Sequence, residues 1–296
     1  MVDRISEILE QRHKPALLIG NGINQFNNYT SSSWAKLLGR LSSANGLKLS
    51  TLEMKEMSNT EFFDILDLAK SKDDRSNLQR QFCDLMSSWR PSDQHSRIVS
   101  WAQNHCLPIV TVNFDENLSR SVGAEYFVGE RFTDWYPWSS YFSDRKIVDP
   151  KNSFAIWHAH GMMRYSRSIR LGLTHYMGAV QRARSWVYHG RESLRTLASR
   201  EDGQWQGNKT WLDVLFFSPL MIFGFGFNKD ESFLRWLFLE RARLHKINPS
   251  WKVKTWFVDT PRTSSLHRKA FFEGLGMKYV AVADYNDIYE NPAWLT

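Results

Sequence analysis

Cysteine is scarce: Cys83 and Cys106 are the two in 296 residues, too few for a disulfide framework or a four-thiolate zinc site within one chain. A reducing compartment is expected. No apolar run approaches the roughly 18 residues of a membrane span, and the N-terminal MVDRISEILE carries Asp3, Arg4, Glu7 and Glu10 where a secretory signal needs an apolar stretch. These absences predict a cytoplasmic protein with no membrane partner. No internal repeat, low-complexity tract or long linker divides the chain. It therefore reads as one domain over 1–296, large enough to bury roughly 75% of its unfolded surface.

The charge is unevenly spread. Lys+Arg 38 against Asp+Glu 31 leaves a formal +7, and one segment accounts for all of it. From Arg164 to Arg200 there are eight arginines, no lysine and a single acid, Glu192. Such a cluster suits a solvated helix face with cation–aromatic contacts to Tyr165, Trp186 and Tyr188, and equally a surface for a polyanion or a protein partner.

Short runs of β-branched and apolar residues at 16–19, 108–112, 154–158, 220–223, 254–258 and 278–282 have the pattern of strands buried on both faces of a parallel sheet. Between them lie stretches of helical period, such as 230–245, with Asn228 or Asp230 as its cap. This order predicts an α/β fold, a doubly wound Rossmann-like parallel sheet of about six strands. Two gaps exceed a single crossover and predict helical insertions at about 34–105 and 175–217. The first reads as helices at 33–43, 61–70, 78–89 and 93–104, and the second as a long helix with a Gly-rich break at 202–208.

In an open parallel sheet, ligands bind beyond the carboxyl ends of the strands, so the residues that follow each strand are the candidates for chemistry. Gly20-Asn21-Gly22-Ile23-Asn24 follows the first, a Gly-x-Gly loop able to approach a phosphate or simply to turn tightly. The usual dinucleotide fingerprint would continue with glycine at position 25, where Gln25 stands, and with an acid about 20 residues on; no Asp or Glu occurs from Asn21 to Leu52. Ordinary dehydrogenase geometry is disfavoured. The second strand runs into Thr111-Val112-Asn113-Phe114-Asp115, the third into His158-Ala159-His160-Gly161 and the fourth into Gly224-Phe225-Gly226-Phe227-Asn228. Taken singly, Asp115 is also a good N-cap and His160 a plausible core imidazole.

In order and spacing these segments resemble the sirtuin-like family, specifically its minimal bacterial branch that consumes NAD. Gly20 to Asn24 is similar to the family's Gly-Ala-Gly-Ile-Ser loop, Thr111 to Asp115 to its Thr-x-Asn-x-Asp segment and His160-Gly161 to its catalytic His-Gly. Leu171-Gly172-Leu173-Thr174-His175-Tyr176 and Leu220 to Phe227 are further similar pieces. The chain departs from the family in lacking the paired cysteines of its zinc module. It also carries Asn21 and Asn24 in place of Ala and Ser, and Phe225 and Phe227 in a segment whose hydroxyls would meet the adenosine ribose.

The resemblance implies an NAD glycohydrolase that releases nicotinamide and ADP-ribose, with NAD as substrate, no metal, and a role in anti-phage defence through NAD depletion. It implies Asn113 and His160 as catalytic residues and Gly20, Asn21, Gly22, Ile23, Asn24, Asp115, Gly224 and Gly226 as the nucleotide cradle. Nicotinamide departs neutral, so the demanding tasks are stabilising an oxocarbenium-like ribose and delivering water to it. A carboxamide and an imidazole suit these tasks.

Regulation is expected to come from self-assembly or from a separate trigger protein, such as the hexameric ATPase that relatives pair with. Aromatic patches at 135–138 and 141–142 are the candidate docking surface, with core packing as their other reading. A metal at His158 and His160, two apart on a strand, is a further alternative. So is a non-catalytic subunit whose Arg182, Arg184, Arg191 and Arg195 contact nucleic-acid phosphates.

Overall fold

The computed structural model describes residues 4–27, 33–46, 57–70, 77–200, 203–227, 231–260 and 266–296. Its centre is one mixed sheet of eight strands: β1 (Ala16–Ile19), β2 (Pro108–Thr111), β3 (Glu125–Phe127), β4 (Tyr141–Ser143), β5 (Ala155–His158), β6 (Leu220–Phe223), β7 (Thr255–Asp259) and β8 (Lys278–Ala281). They lie in the order β3-β4-β5-β2-β1-β6-β7-β8. From β5 to β8 every pairing is parallel, and β4 and β3 close one edge antiparallel. The expected strands are all present, but the count of about six falls two short, because the antiparallel edge pair went unread. Numbered among themselves, the parallel strands run 3-2-1-4-5-6, the order that leaves a crevice where the connections change direction, here between β1 and β6.

Both faces of the sheet are covered, as full burial of β1, β2, β5 and β6 requires. Side chains alternate between the faces. Leu18, Val110, Trp157, Ile222 and Phe257 join one core with helices at Leu173–Tyr188, Trp211–Phe217 and Ser232–Ile247. Leu17, Ile109, Ile156, Met221 and Trp256 join the other, with helices at Ile5–Leu9 and Asp93–Asn104 and with Tyr289 and Trp294 near the C-terminus. Each such fully buried large side chain contributes about 1.5–3 kcal/mol.

Helices at Trp34–Ala44, Asn59–Leu68 and Leu78–Met86 form a third core of their own around Leu37, Phe62, Phe63 and Phe82. That cluster rests on Phe114, Ile169 and Leu171, which sets the helical layer beside the carboxyl ends of the strands. Asp93–Asn104, expected within this insertion, packs on the sheet instead. Asn228 and Asp230, expected to cap the helix at Ser232–Ile247, lie outside the described residues; Glu231 is its N-cap and accepts from the Leu234 amide at 3.4 Å.

The aromatic segment, read either as a docking surface or as core, is largely core: Trp138, Tyr141 and Phe142 are buried, while Tyr136 is half-buried and Trp135 half exposed. Among the described residues no helix is long and apolar enough to cross a membrane.

Candidate active site

The loops that leave β1 and β6 are pressed together. Gly20 donates to the Phe223 carbonyl at 3.0 Å and Gly22 to the Gly224 carbonyl at 2.8 Å. A methyl on Gly20 would lie 2.3 Å from the Gly224 oxygen, and one on Gly22 2.7 Å from the Gly224 Cα. Gly224 itself has φ +64, a left-handed conformation that favours glycine. Much of the glycine requirement is therefore met by one backbone passing over another.

Above this seam opens a cavity of about 500 Å³, within the range of small-molecule and cofactor sites. Asn21, Gly22, Gly224, Phe225 and Gly226 form one wall, and Trp34, Leu38, Asn59 and Thr60 of the helical layer face them.

His160 reaches the cavity from the turn after β5 and is 3% exposed. Its Nε2 lies 2.9 Å from Glu231 Oε1. Tyr176 donates through its hydroxyl to Glu231 Oε2 at 3.5 Å and packs edge-on against the His160 ring. Both ring nitrogens of His160 are buried without a hydrogen-bond partner among the described residues, Nε2 lying within ion-pair distance of Glu231 but out of hydrogen-bond alignment.

Two guanidiniums enter the same space. Arg170 is 3% exposed, bonds the Trp135 carbonyl and lies 4.5 Å from the Tyr136 ring centre. Burial lowers its pKa to about 10. At the end of β7, Arg268 Nη1 meets Asp259 Oδ2 at 2.7 Å. The cavity thus presents both signs of charge.

Beneath the floor runs a buried polar network. The Asn24 amide donates to Asn21 Oδ1 at 2.9 Å and to Asp115 Oδ2 at 2.8 Å, while its oxygen accepts from Asn117 Nδ2 at 3.1 Å. His95 accepts the Ser92 amide at Nδ1, so its proton sits on Nε2, which donates to Asn24 Oδ1 at 3.0 Å. All four hydrogen-bonding positions of the Asn24 carboxamide are used. Burial holds His95 down to about 4 and raises the pKa of Asp115.

Of the residues expected to act, His160, Asn21, Gly22, Gly224 and Gly226 line the cavity. Gly20 lies in the seam, Ile23 in the core and Asn24 and Asp115 in the network below. Asn113 is not on the wall, which at the end of β2 consists of Val112 and Phe114. Its Nδ2 donates to the Gly20 carbonyl at 3.3 Å, and its Oδ1 is buried without a partner among the described residues. Residues the motifs did not single out are Arg170, Glu231, Asp259 and Arg268. Asp259 follows the strand expected at 254–258 directly, so the rule applied to the other strand ends would have found it.

His158 and His160 do not share a face. The strand ends at His158, which donates through Nδ1 to the Asn113 carbonyl at 2.8 Å and packs on Phe142, whereas His160 turns toward Tyr176 and Phe233. Among the described residues, no three His, Cys, Asp or Glu side chains group as metal ligands.

The arginine-rich segment is mostly spent on aromatic rings. Arg182 sits over Tyr136, Trp138 and Trp186, and Arg184 and Arg195 over Tyr188. Tyr165 instead packs on Tyr126 and Phe132. Compared with protein-family models, curated proteins and solved structures, the chain matches none.

Proposed function

We propose that the cleft binds NAD and hydrolyses its nicotinamide–ribose bond. The observation that carries this reading is His160, on the wall of a cleft at the sheet's switch point, with Nε2 at 2.9 Å from Glu231 and both buried ring nitrogens free of hydrogen-bond partners among the described residues. A dinucleotide needs room for two ribosides and compensation for a pyrophosphate. The cavity of about 500 Å³ and the guanidinium of Arg170 meet those needs. Phe225, half-buried on the wall, offers a ring face for the adenine where ribose-binding hydroxyls are missing.

In this reading the C–N bond to nicotinamide breaks with its electron pair leaving on the ring nitrogen, and a water oxygen bonds to the anomeric carbon. The water proton passes to His160 Nδ1. Glu231 then faces the imidazolium through Nε2 and stabilises the charge as it forms. Asn113 acts from below as a positioning residue, holding the Gly20 loop against the end of β2.

The test is to incubate the purified chain with NAD and follow nicotinamide and ADP-ribose by chromatography. His160→Ala is expected to lower turnover about 10³-fold. Glu231→Gln should lower it about 10²-fold and displace the pH–rate profile, which a loss of packing alone does not do. Turnover by His160→Ala at the parent rate overturns the assignment.

A further inference from the structure

A second cavity, of about 310 Å³, lies at the other end of the strands. Thr255 begins β7, Met277 precedes β8, and Arg241 and His245 reach in from the helix at Ser232–Ile247. Lys246 and Lys252 complete the polar lining, which among the described residues holds four basic side chains and no carboxylate. Phe238, Val253, Leu275 and Met277 supply an apolar side.

Arg241 is the unusual member. It is 3% exposed, and its hydrogen bonds go to neutral groups: Nη1 to Thr255 Oγ1 at 2.6 Å and Nη2 to the Ser218 carbonyl at 2.9 Å. Its Nε, like His245 Nε2, is buried with no hydrogen-bond partner among the described residues. The nearby acids are engaged elsewhere, Glu240 with Tyr188 and Arg243 and Glu273 with Lys269. Burial lowers the pKa of Arg241 to about 9, the mark of a cation lacking an opposite charge. An unpaired buried guanidinium is costly, and a bound anion is the direct way to offset it.

We propose that this pocket binds the phosphate group of a small phosphomonoester. Arg241 supplies the buried donor, Lys246 and Lys252 supply charge at the mouth, and the apolar side takes the organic body. A bare phosphate ion would leave much of the space unfilled, which favours an organic ester over the inorganic ion. The site is separate from the cleft, since it opens at the amino ends of the strands.

Calorimetric titration of the full chain with ribose 5-phosphate, and in parallel with inorganic phosphate, tests the proposal. The ester is expected to bind about tenfold more tightly than phosphate. Its affinity should fall about tenfold in Lys252→Glu, whose side chain is exposed, and further in Arg241→Met. It should be unaltered in His160→Ala, which places the binding outside the cleft. Absence of ester binding at millimolar concentration overturns the proposal, as does equal affinity for the two probes or an affinity unchanged by Lys252→Glu.

Discussion

The two cavities sit at opposite ends of the same strands and arrange charge in opposite ways. At the carboxyl end His160 faces Glu231 and Arg268 faces Asp259, while Arg170 lies on the π face of Tyr136. At the amino end Arg241, His245, Lys246 and Lys252 share a pocket that holds no acid among the described residues. The first arrangement suits a ligand that carries both signs, as a cationic nicotinamide joined to a pyrophosphate does. The second suits a simple anion. The backbones differ as well: glycines at the carboxyl end are wedged between loops, whereas Gly274 and Gly276 at the amino end face open space.

Each end also holds a histidine pushed down to about 4, for different reasons. Burial does this to His95 within the hydrogen-bonded floor; at His245, burial acts together with the neighbouring cations Arg241 and Lys252. Unfolded, either ring titrates near 6.5. Between pH 6.5 and 4 the unfolded chain takes up a proton that folded His95 does not, so stability rises with pH across that window and is lost on acidification. His95 should account for about 3 kcal/mol of that loss. Urea unfolding at pH 7.5 and 4.5 checks this, with His95→Gln giving a shallower dependence. An anion beside His245 should raise that ring's pKa and leave His95 unchanged, as histidine NMR titrations with and without ribose 5-phosphate would show.

The seam itself is tested next. Gly20→Ala places a methyl 2.3 Å from a backbone oxygen that has no rotamer to yield, so one of the loops must move. A loss of about 2 kcal/mol is expected from the urea midpoint, and the proposed NAD turnover should fall with it because Gly22 and Gly224 line the cleft. An unaffected midpoint would show that the loops yield freely, removing the contrast in rigidity between the two ends.

Much of this arrangement could be read from the chain, and the omissions have physical causes. The parallel strands announce themselves because burial on both faces forces continuous apolar runs such as ALLI and LMIF. Strands Glu125–Phe127 and Tyr141–Ser143 escape because three residues are too few to show alternation, and the first lies partly exposed at the sheet edge. The strand-end rule located His160, Asn21 and Gly224. It could not show that the Asn113 carboxamide turns to the Gly20 carbonyl, which is a matter of side-chain direction. Glu231 meets His160 across 71 positions of sequence, and Arg170 was submerged in a run of arginines that local composition treats alike.

Gly274 and Gly276 separate two explanations that the carboxyl end combines. A methyl at either meets nothing within 4 Å, but Gly276 has φ +75 and Gly274 does not. Gly276 closes the helix at Leu266–Gly274: its amide donates to the Glu273 carbonyl at 2.9 Å, and the Met277 amide donates to the Phe272 carbonyl at 3.0 Å. That paired closure needs a left-handed residue after the helix cap. Gly276→Ala should therefore cost about 1 kcal/mol despite the free space. Gly274→Ala, at the last helical position with ordinary φ, should instead gain about 0.5 kcal/mol from helix propensity and from a less flexible unfolded chain. Opposite shifts of the urea midpoint in the two variants would assign the amino-end glycines to backbone conformation and leave steric wedging as a property of the cleft; equal shifts would merge the two ends.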